Sequence, residues 1–563
     1  MQVQQRSCSL PLCRPARITL SCLTLLGAVT SGAASAQGRL VGEGQTLDGR
    51  AYGLPEQSGA VAAYGGFVLS STVTSVPAGG DHAQLFGELT GAQQLYPVAT
   101  FDAVGDGNAR AFGSDVALGA GRLMVSDPGA PVGALQGRVD SWSLGALGVN
   151  ERATLTPPEP GCAAFGARID CDGARLAVLS RAQGADAVRC FLYAPDGGGA
   201  GWSLADRIAV PEEPGDPAVF GERVALDGNR VVLGAPWRAG GRGAALVYVA
   251  SPTTGVWQLA AELQAPGLAT FGTEVALAGE HLLVGGSESF GLASRGVVVA
   301  FRRVGGVWTE VQRLLPPESG AWDQFGAAIA LRSGVALIAS AGRSHVGGAD
   351  GSVDVWTLAP LSNVWSRQCE IVHTTAHAGD QLGLDVALDL SAIAPRVALA
   401  AKIDGRVQAL SALLPTPLPA RLELRSTAGV TVCAPNAVNS RGTWAKLRGL
   451  GSSVISRNNM TLEAWDLSPS AWIVLGATDH EACTPLGPIG SLALNGSGST
   501  ARWTPQPSNP AGVARIGVNL FGFPTSPSTG TVPVMSGVTW VFQGMYRDPL
   551  GGRLTEAIRV TFE

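Results

Sequence analysis

A short alternation of apolar and polar positions recurs along most of the chain. Its clearest copy opens on Phe220-Gly221, continues through an apolar run to Asp227-Gly228-Asn229, and closes a second apolar run on Gly234-Ala235-Pro236. Asp-Gly and Gly-Asn pairs between short apolar runs favour tight hairpins because they accept positive φ. With the two apolar runs that follow, this copy predicts four strands, over Val224–Leu226, Arg230–Leu233, Ala244–Val249 and Val256–Leu263.

The same phrase occurs six more times, at intervals of 51 to 57 residues. Repeats of roughly 50 residues are typical of propellers and solenoids. Four strands in each of seven units predict an all-β chain with a seven-bladed β-propeller. The other copies begin at Phe112, Phe165, Phe271 and Phe325 with the aromatic–glycine pair intact, at Leu382 without the ring, and at Gln57 in degenerate form.

The phrase resembles the FG-GAP repeat, which is named for the two short motifs seen here at Phe220-Gly221 and Gly234-Ala235-Pro236. The resemblance covers residues 38–413. FG-GAP repeats build the propeller of integrin α-chains and occur in bacterial secreted proteins. The resemblance therefore implies an integrin-α-like propeller that meets its partners at one face, and it raises the question of calcium.

The ends of the repeat region predict how the ring closes. The last unit lacks a fourth strand, and we expect Arg39–Leu47 to supply it. Residues 414–420 are a proline-rich linker, and residues 421–563 keep alternating apolar runs without the repeat, which predicts a small antiparallel β-sandwich. Tryptophans that keep the repeat period are interpreted as packing residues between sheets: Trp142, Trp202, Trp257, Trp308, Trp356 and Trp365.

The N-terminus predicts export. Residues 1–36 combine basic residues, an apolar run and the small-residue site Ala34-Ser35-Ala36, as a signal peptide does. The apolar run is shorter than the ~20 residues that a membrane span needs. A net charge of −5 over 563 residues gives no field that would attract nucleic acid. We therefore expect a secreted or cell-envelope protein with no membrane span after signal removal.

Six of the nine cysteines lie after the signal, and an exported protein permits them to form disulfides. Six cysteines allow 15 pairings. Cys433–Cys483 is the favoured bridge, because both residues lie in the predicted sandwich.

Calcium is the cofactor that the resemblance raises, since many FG-GAP propellers hold it in an acidic loop between the first two strands of a blade. Calcium needs six to eight oxygen ligands. The corresponding turns here are short, and only Asp170 and Asp172 match part of that motif. Asp102, Asp106 and Asn108 offer one adventitious alternative between blades. The prediction is therefore no cofactor, with calcium as the alternative although its loop motif is absent.

Loops between the second and third strands are predicted to emerge on the same face as the Phe-Gly pairs. Aromatic and arginine side chains there suit recognition, because they offer flat area and forked donors. The alternative is that these are ordinary solvated loops. The predicted ligand-binding residues are Trp237, Arg238, Arg242, Phe290, Arg295, Arg343, His345 and Asp350.

No catalytic arrangement is evident. His373 and His377 are spaced i,i+4 without the glutamate of a zinc-protease helix, and no serine-hydrolase motif occurs. The leading hypothesis is a non-catalytic binding or adhesion module for an extracellular protein or glycan. The rival is an exported propeller enzyme, a polysaccharide lyase or hydrolase, which would need carboxylates, histidines or a metal at the axis. A purely structural envelope protein is the third possibility.

Overall fold

The computed structural model describes most of the chain from Arg39 onward, and residues 39–563 form one compact unit. The predicted signal peptide lies outside the described residues. The described ranges are 39–43, 45–46, 56–74, 81–88, 95–102, 111–119, 121–132, 135–145, 148–160, 162–182, 189–197, 199–210, 223–290, 293–345, 348–373, 379–390, 395–403, 406–425, 427–428, 430–432, 438–441, 444–450, 455, 458, 460–479, 481–486, 491–494, 500–510, 512–525, 530–536 and 538–562.

The chain is nearly all-β, and its first part forms seven sheets in sequence order, which are antiparallel except at one edge of the sixth. One helical turn, α1 (Arg238–Gly241), is the only helix in the described ranges. The strands are β1 Arg39–Glu43, β2 Gln45–Thr46, β3 Glu56–Ser58, β4 Val61–Tyr64, β5 Phe67–Thr74, β6 His82–Glu88, β7 Leu95–Asp102, β8 Val116–Gly119, β9 Arg122–Val132, β10 Leu135–Gly145, β11 Gly148–Leu155, β12 Cys162–Ala163, β13 Ile169–Cys171, β14 Leu176–Ala182, β15 Arg189–Pro195, β16 Trp202–Ala209, β17 Arg223–Asp227, β18 Arg230–Ala235, β19 Ala244–Ala250, β20 Trp257–Leu263, β21 Val275–Ala278, β22 His281–Phe290, β23 Ala293–Val304, β24 Val307–Leu314, β25 Phe325–Arg332, β26 Val335–Ser340, β27 Ser352–Leu358, β28 Trp365–His373, β29 Asp385–Asp389, β30 Arg396–Ile403 and β31 Arg406–Leu413.

The seven sheets are arranged as a ring. Their innermost strands are β4, β8, β13, β17, β21, β25 and β29, and each contacts the next, with β29 returning to β4. Together these strands line a central cavity of 980 Å³. The four strands predicted from the Phe220 copy correspond to β17–β20, with ends that differ by one or two residues.

The aromatic–glycine pair fixes each sheet to its neighbour. Phe112, Phe165 and Phe271 are fully buried. The backbone of Phe271 pairs with Gly243 of the preceding sheet, where a Cβ would overlap the Phe271 backbone. The glycine of each described pair has φ between 87° and 99°, a conformation that favours glycine. The repeated phrase is thus the joint between sheets. Phe220 and Gly221 themselves lie outside the described residues.

The ring closes with a strand from the N-terminal segment. Gln45–Thr46 pairs antiparallel with β31 and completes the last sheet, which confirms the predicted closure for these two residues. Arg39–Glu43 takes another place than predicted, because it runs parallel to β32 (Arg421–Arg425) at the edge of the sixth sheet. β32 itself pairs with β28 of that sheet. The first residues after the linker therefore extend the ring.

The C-terminal residues form two larger antiparallel sheets that share one hydrophobic core. Leu447 and Leu462 contribute from one sheet, and Ile473, Trp540 and Ile558 from the other. The strands are β33 Thr427–Ala428, β34 Val430–Val432, β35 Lys446–Leu450, β36 Thr461–Trp465, β37 Trp472–Thr478, β38 Glu481–Pro485, β39 Ser491–Leu494, β40 Thr500–Arg502, β41 Gln506–Pro507, β42 Ala514–Gly517, β43 Phe523–Pro524, β44 Thr531–Val532, β45 Thr539–Asp548 and β46 Gly551–Thr561.

The period-locked tryptophans pack between sheets, as predicted. Trp308, Trp356 and Trp365 are buried. Trp202 reaches the preceding sheet, where its indole N–H donates to Ser141 Oγ (2.9 Å) and its ring lies 5.2 Å from the Arg122 guanidinium carbon.

Candidate functional site

Two places on the ring gather functional side chains. One is the upper face, which we define as the loops between second and third strands together with the loops that enter the first strands. The bridge between Gly243 and Phe271 joins these two kinds of loop, so they lie side by side. The other place is the central cavity along the axis.

Trp237 and Arg242 are the predicted residues that the upper face exposes. They flank α1, and 41% of Trp237 is accessible. Arg238, between them, is only 4% exposed and forms a two-pronged ion pair with Glu262 on β20 (3.0 and 3.2 Å). The fork of Arg238 is thus already paired within the chain, and its predicted role in ligand binding stays a prediction.

The next loop also pairs its charges. Arg295 lies opposite Glu288 on the β22–β23 hairpin and forms an ion pair of 2.5 Å with it. Phe290 ends β22, where its backbone pairs with Ala293, and its side chain lies outside the described part of the structure.

Arg343, His345 and Asp350 are brought together, but in a buried network instead of an open loop. Arg343 and Asp350 are 6% and 1% exposed. His345 lies between two carboxylates, with Nδ1 3.1 Å from Asp350 Oδ2 and Nε2 3.0 Å from Glu370 Oε1. The hydrogen bond to Glu370 raises the pKa of His345.

Glu370 is the centre of this network. It also contacts Arg343 (3.5 Å), Arg367 (3.5 Å) and Arg421 (3.4 Å), the last from β32. These hydrogen bonds and charges hold the pKa of Glu370 below its ordinary value despite its burial. The network joins the sixth sheet to the segment that leads to the C-terminal sheets.

Trp322 is an upper-face residue that the sequence analysis missed. It is 64% exposed and has φ of 72°, an uncommon conformation for a bulky residue. The backbone N–H of Trp322 donates to the carbonyl of Ser294 (2.8 Å). The Trp322 carbonyl lies so close to Gly342 that a Cβ at Gly342 would overlap it. The sequence did distinguish Trp322 from the packing tryptophans. It lies three residues before the Phe325 anchor and does not keep the repeat period of the other tryptophans.

The cavity is lined by the inner strands and by the residues that directly precede them. In the second sheet Asp115 precedes β8, Val116 and Leu118 belong to the hydrophobic core shared with the first sheet, and Ala117 belongs to the core shared with the third. Three residues after the repeat anchors stand five charged residues, here called the axis ring: Asp115, Arg168, Arg223, Glu274 and Asp385. Five residues after the anchors stands the alanine belt, which Asp170 interrupts: Ala62, Ala117, Ala225, Ala276, Ala330 and Ala387.

Aspartates of the inner strands bind the backbone of the next sheet. Asp115 accepts from the N–H of Ile169 (2.8 Å), Asp170 from Leu226 (2.7 Å), and Asp385 from Val61 (2.8 Å). Near the following turns, Asp172, Asp227 and Asp389 do the same for Gly228, Gly279 and Gly66. Inner strands of a ring have free N–H groups on one edge, and these carboxylates satisfy them.

Burial shapes the protonation of the axis. It raises the pKa of Asp170 to about 6 and that of Asp385 to about 7. It also raises the pKa of Asp115 and of Glu274, the latter although Glu274 is ion-paired with Arg223. Carboxyl groups that titrate near neutrality are suited to acid–base chemistry.

The predictions on metals and disulfides have separate outcomes. Asp170 and Asp172 accept hydrogen bonds from backbone N–H groups. The described residues contain no group of three or more acidic, histidine or cysteine side chains arranged for a metal ion. Asp106 and Asn108 lie outside the described residues. Cys483 is disulfide-bonded, while Cys433 lies outside the described residues. No helix in the described part of the chain is long and apolar enough to cross a membrane.

The ring of radiating sheets places the chain among β-propeller proteins. No protein-family model and no curated protein matches the chain. Among solved structures it resembles Trypanosoma rangeli sialidase in complex with the inhibitor DANA (11% identity, TM-score 0.30, 92% of this chain and 86% of that one).

Two further solved structures are similar over about two thirds of the chain. They are the β-propeller domain of the Trilobed protease from Pyrococcus furiosus (9% identity, TM-score 0.37, 66% and 93% covered) and a polysaccharide lyase, an ulvan lyase (9%, 0.39, 64% and 92%). Identities this low say nothing about activity.

Proposed function

We propose that the chain is an exported FG-GAP-type protein that acts as a non-catalytic binding module. In this proposal residues 37–413 are a seven-bladed propeller, residues 414–420 a linker, and residues 421–563 a β-sandwich. The seven sheets around one axis and the structural use of the aromatic–glycine pairs support the blade assignment. The upper face takes an extracellular protein or glycan.

The observation that carries the binding role is the presentation of Trp322. An exposed tryptophan offers a large flat surface at low entropic cost, and strained backbone tends to occur where function requires it. Backbone contacts on both sides hold it in place. Trp237 and Arg242 are exposed on the same face, whereas the other described arginines predicted there already have carboxylate partners.

The test is an array of extracellular proteins and glycans probed with the full mature chain, followed by affinity measurements on hits. Trp322→Ala and Trp237→Ala should each weaken binding at least about tenfold, as interface tryptophans do. Trp472→Ala is the matched control, because Trp472 is 58% exposed but lies on β37 in the C-terminal region. Unchanged affinity in both upper-face variants would retire the proposal.

A second candidate is an exported propeller enzyme that acts on a polysaccharide. Its support is the axis ring, where carboxyl groups with raised pKa stand with arginines in a cavity. A screen of polysaccharides for new reducing ends or unsaturated products tests it. Turnover that is abolished by Asp385→Asn and preserved by Trp322→Ala would favour the enzyme over the binding module.

A further inference from the structure

Arg168 is an unusual member of the axis ring. It lines the central cavity, and it forms no ion pair within 4.0 Å with any residue of the described ranges. Its only hydrogen bond there joins Nη1 to the carbonyl of Ala167 (2.9 Å). A guanidinium carries five N–H donors in a rigid fork, so most of its donors remain available to the cavity.

The surroundings of Arg168 make its charge costly. Arg168 is partly buried. Burial lowers its pKa and the positive charge of Arg223 lowers it further, whereas the charges of Asp115, Glu274 and Asp385 raise it. A desolvated charge that no close ion pair compensates is destabilising. Arg223 avoids this cost through its ion pair with Glu274.

The nearby carboxylates are turned away to other partners. Asp115 accepts from the N–H groups of Ile169 and Val116, and Asp385 accepts from those of Val61 and Val386. Each therefore uses one oxygen on its own strand and the other on the next strand. Their geometry ties the inner strands together and leaves Arg168 without a carboxylate at ion-pair distance among the described residues.

We propose that the central cavity binds a small ligand carrying an oxyanion, a carboxylate, sulfate or phosphate group, through the guanidinium of Arg168, with Arg223 as a second positive charge. Arginine suits such groups because its planar fork donates two parallel hydrogen bonds. The alanine belt beside the axis ring keeps the lumen open, and 980 Å³ is within the size range of small-molecule sites.

This site is separate from the upper-face surface of the proposed binding module. Its failure would leave Trp322 and Trp237 untouched, and the loss of upper-face binding would leave the cavity untouched. The two ideas are thus tested by different variants.

The test is calorimetric titration of the full mature chain with sodium sulfate, sodium phosphate and sodium glucuronate, each at ionic strength matched with sodium chloride. At least one probe should bind saturably with one site per chain. Preference for glucuronate would indicate an organic carboxylate, and preference for sulfate or phosphate an inorganic or ester-borne group. Absence of saturable binding for all three probes would overturn the proposal.

Arg168→Gln removes the charge and the fork, and should weaken binding at least about tenfold. Arg313→Gln is the control, because Arg313 lies on the outer strand β24 and pairs with Glu310. Equal affinity in Arg168→Gln and the wild type would also overturn the proposal. If Arg168→Gln does not fold, as judged by circular dichroism, Arg168→Lys keeps the charge without the fork and should bind more weakly than the wild type.

Acidity provides an independent check with sulfate, whose charge is constant near neutrality. The charged groups that face Arg168 are Asp115, Arg223, Glu274 and Asp385. Because burial raises the pKa of Asp385 to about 7, lowering the pH through this value neutralises Asp385 and reduces its repulsion of an anion. Sulfate should bind more tightly at about pH 6 than at about pH 8; the reverse trend would contradict the site.

Discussion

The upper face and the axis of the ring solve the same electrostatic problem in different ways. On the upper face, arginine and histidine side chains pair with carboxylates. Arg238 pairs with Glu262, and His345 pairs with Glu370. At the axis, carboxylates are held mainly by backbone N–H groups, and one arginine is left without a carboxylate. Arg238, Arg295 and Arg343 on the upper face therefore have carboxylate partners, whereas Arg168, which directly precedes β13 at the axis, has no ion-pair partner among the described residues.

The largest expected difference concerns one ion pair from each place. Arg223→Ala leaves Glu274 buried without its partner, and should lower the free energy of unfolding by about 3 kcal/mol. Arg295→Ala breaks a partly exposed pair with Glu288, and should cost no more than about 1 kcal/mol. Denaturant unfolding of both variants measures this, and equal losses would mean that the axis is as well hydrated as the loops.

The next effect is the pH dependence of stability contributed by Asp385. Its folded pKa of about 7 exceeds the ordinary 3.8, so the folded chain keeps a proton that the unfolded chain releases. The free energy of unfolding should therefore fall as the pH rises from about 4 to about 7, by about 1 kcal/mol per pH unit from this group. Asp385→Asn should flatten that slope in unfolding curves taken across the window; a variant as steep as the wild type would contradict it.

A smaller effect of the same sign belongs to His345 and a different window. Its raised pKa stabilises the fold below the ordinary value of 6.5, and this contribution is lost as the pH rises through the folded value. Because the ring is partly exposed, we expect less than about 1 kcal/mol. The stability gap between wild type and His345→Gln should be wider at about pH 6 than at about pH 9, and a constant gap would show that only packing was lost.

The smallest expected effect on stability is that of Trp322. Since its side chain is largely exposed, Trp322→Ala should change the free energy of unfolding by no more than about 0.5 kcal/mol. Thermal unfolding beside the binding measurement separates a loss of ligand contact from a loss of fold. A large destabilisation would place Trp322 among the packing residues instead.

Sequence pattern was a good guide to the ring because its repeated phrase encodes a repeated contact. Phe165 and Phe271, each followed by a glycine with positive φ, pair with Gly137 and Gly243 of the preceding sheet, so the local sequence motif reports a tertiary contact. The pairing of Arg39–Glu43 with Arg421–Arg425 had no such signal. Parallel edge pairing between distant segments depends on where the ring brings them, and nothing local in either segment records it.

The candidate site was less predictable, for two reasons. Loop arginines such as Arg238 and Arg343 are judged from sequence by type, but their carboxylate partners lie on other strands and appear only after folding. The axis ring, by contrast, was within reach of the repeat register. Asp115 and Arg168 occupy the same position three residues after the anchor, directly before the inner strand of their sheets, and both line the cavity.

Closure by Gln45–Thr46 makes the ring a folding unit with a late step. Gln45 pairs with Ser411, and nearly all residues of the ring lie between these two in the sequence. A contact between such distant segments has a large entropic cost, because it closes a loop that contains all the residues between them. We therefore expect it to form after the local hairpins. Until then the edge of β31 offers unpaired backbone groups, the kind of edge that recruits other chains. In the closed ring, Gln45 and Thr46 cover that edge of β31 at Ser411 and Leu410.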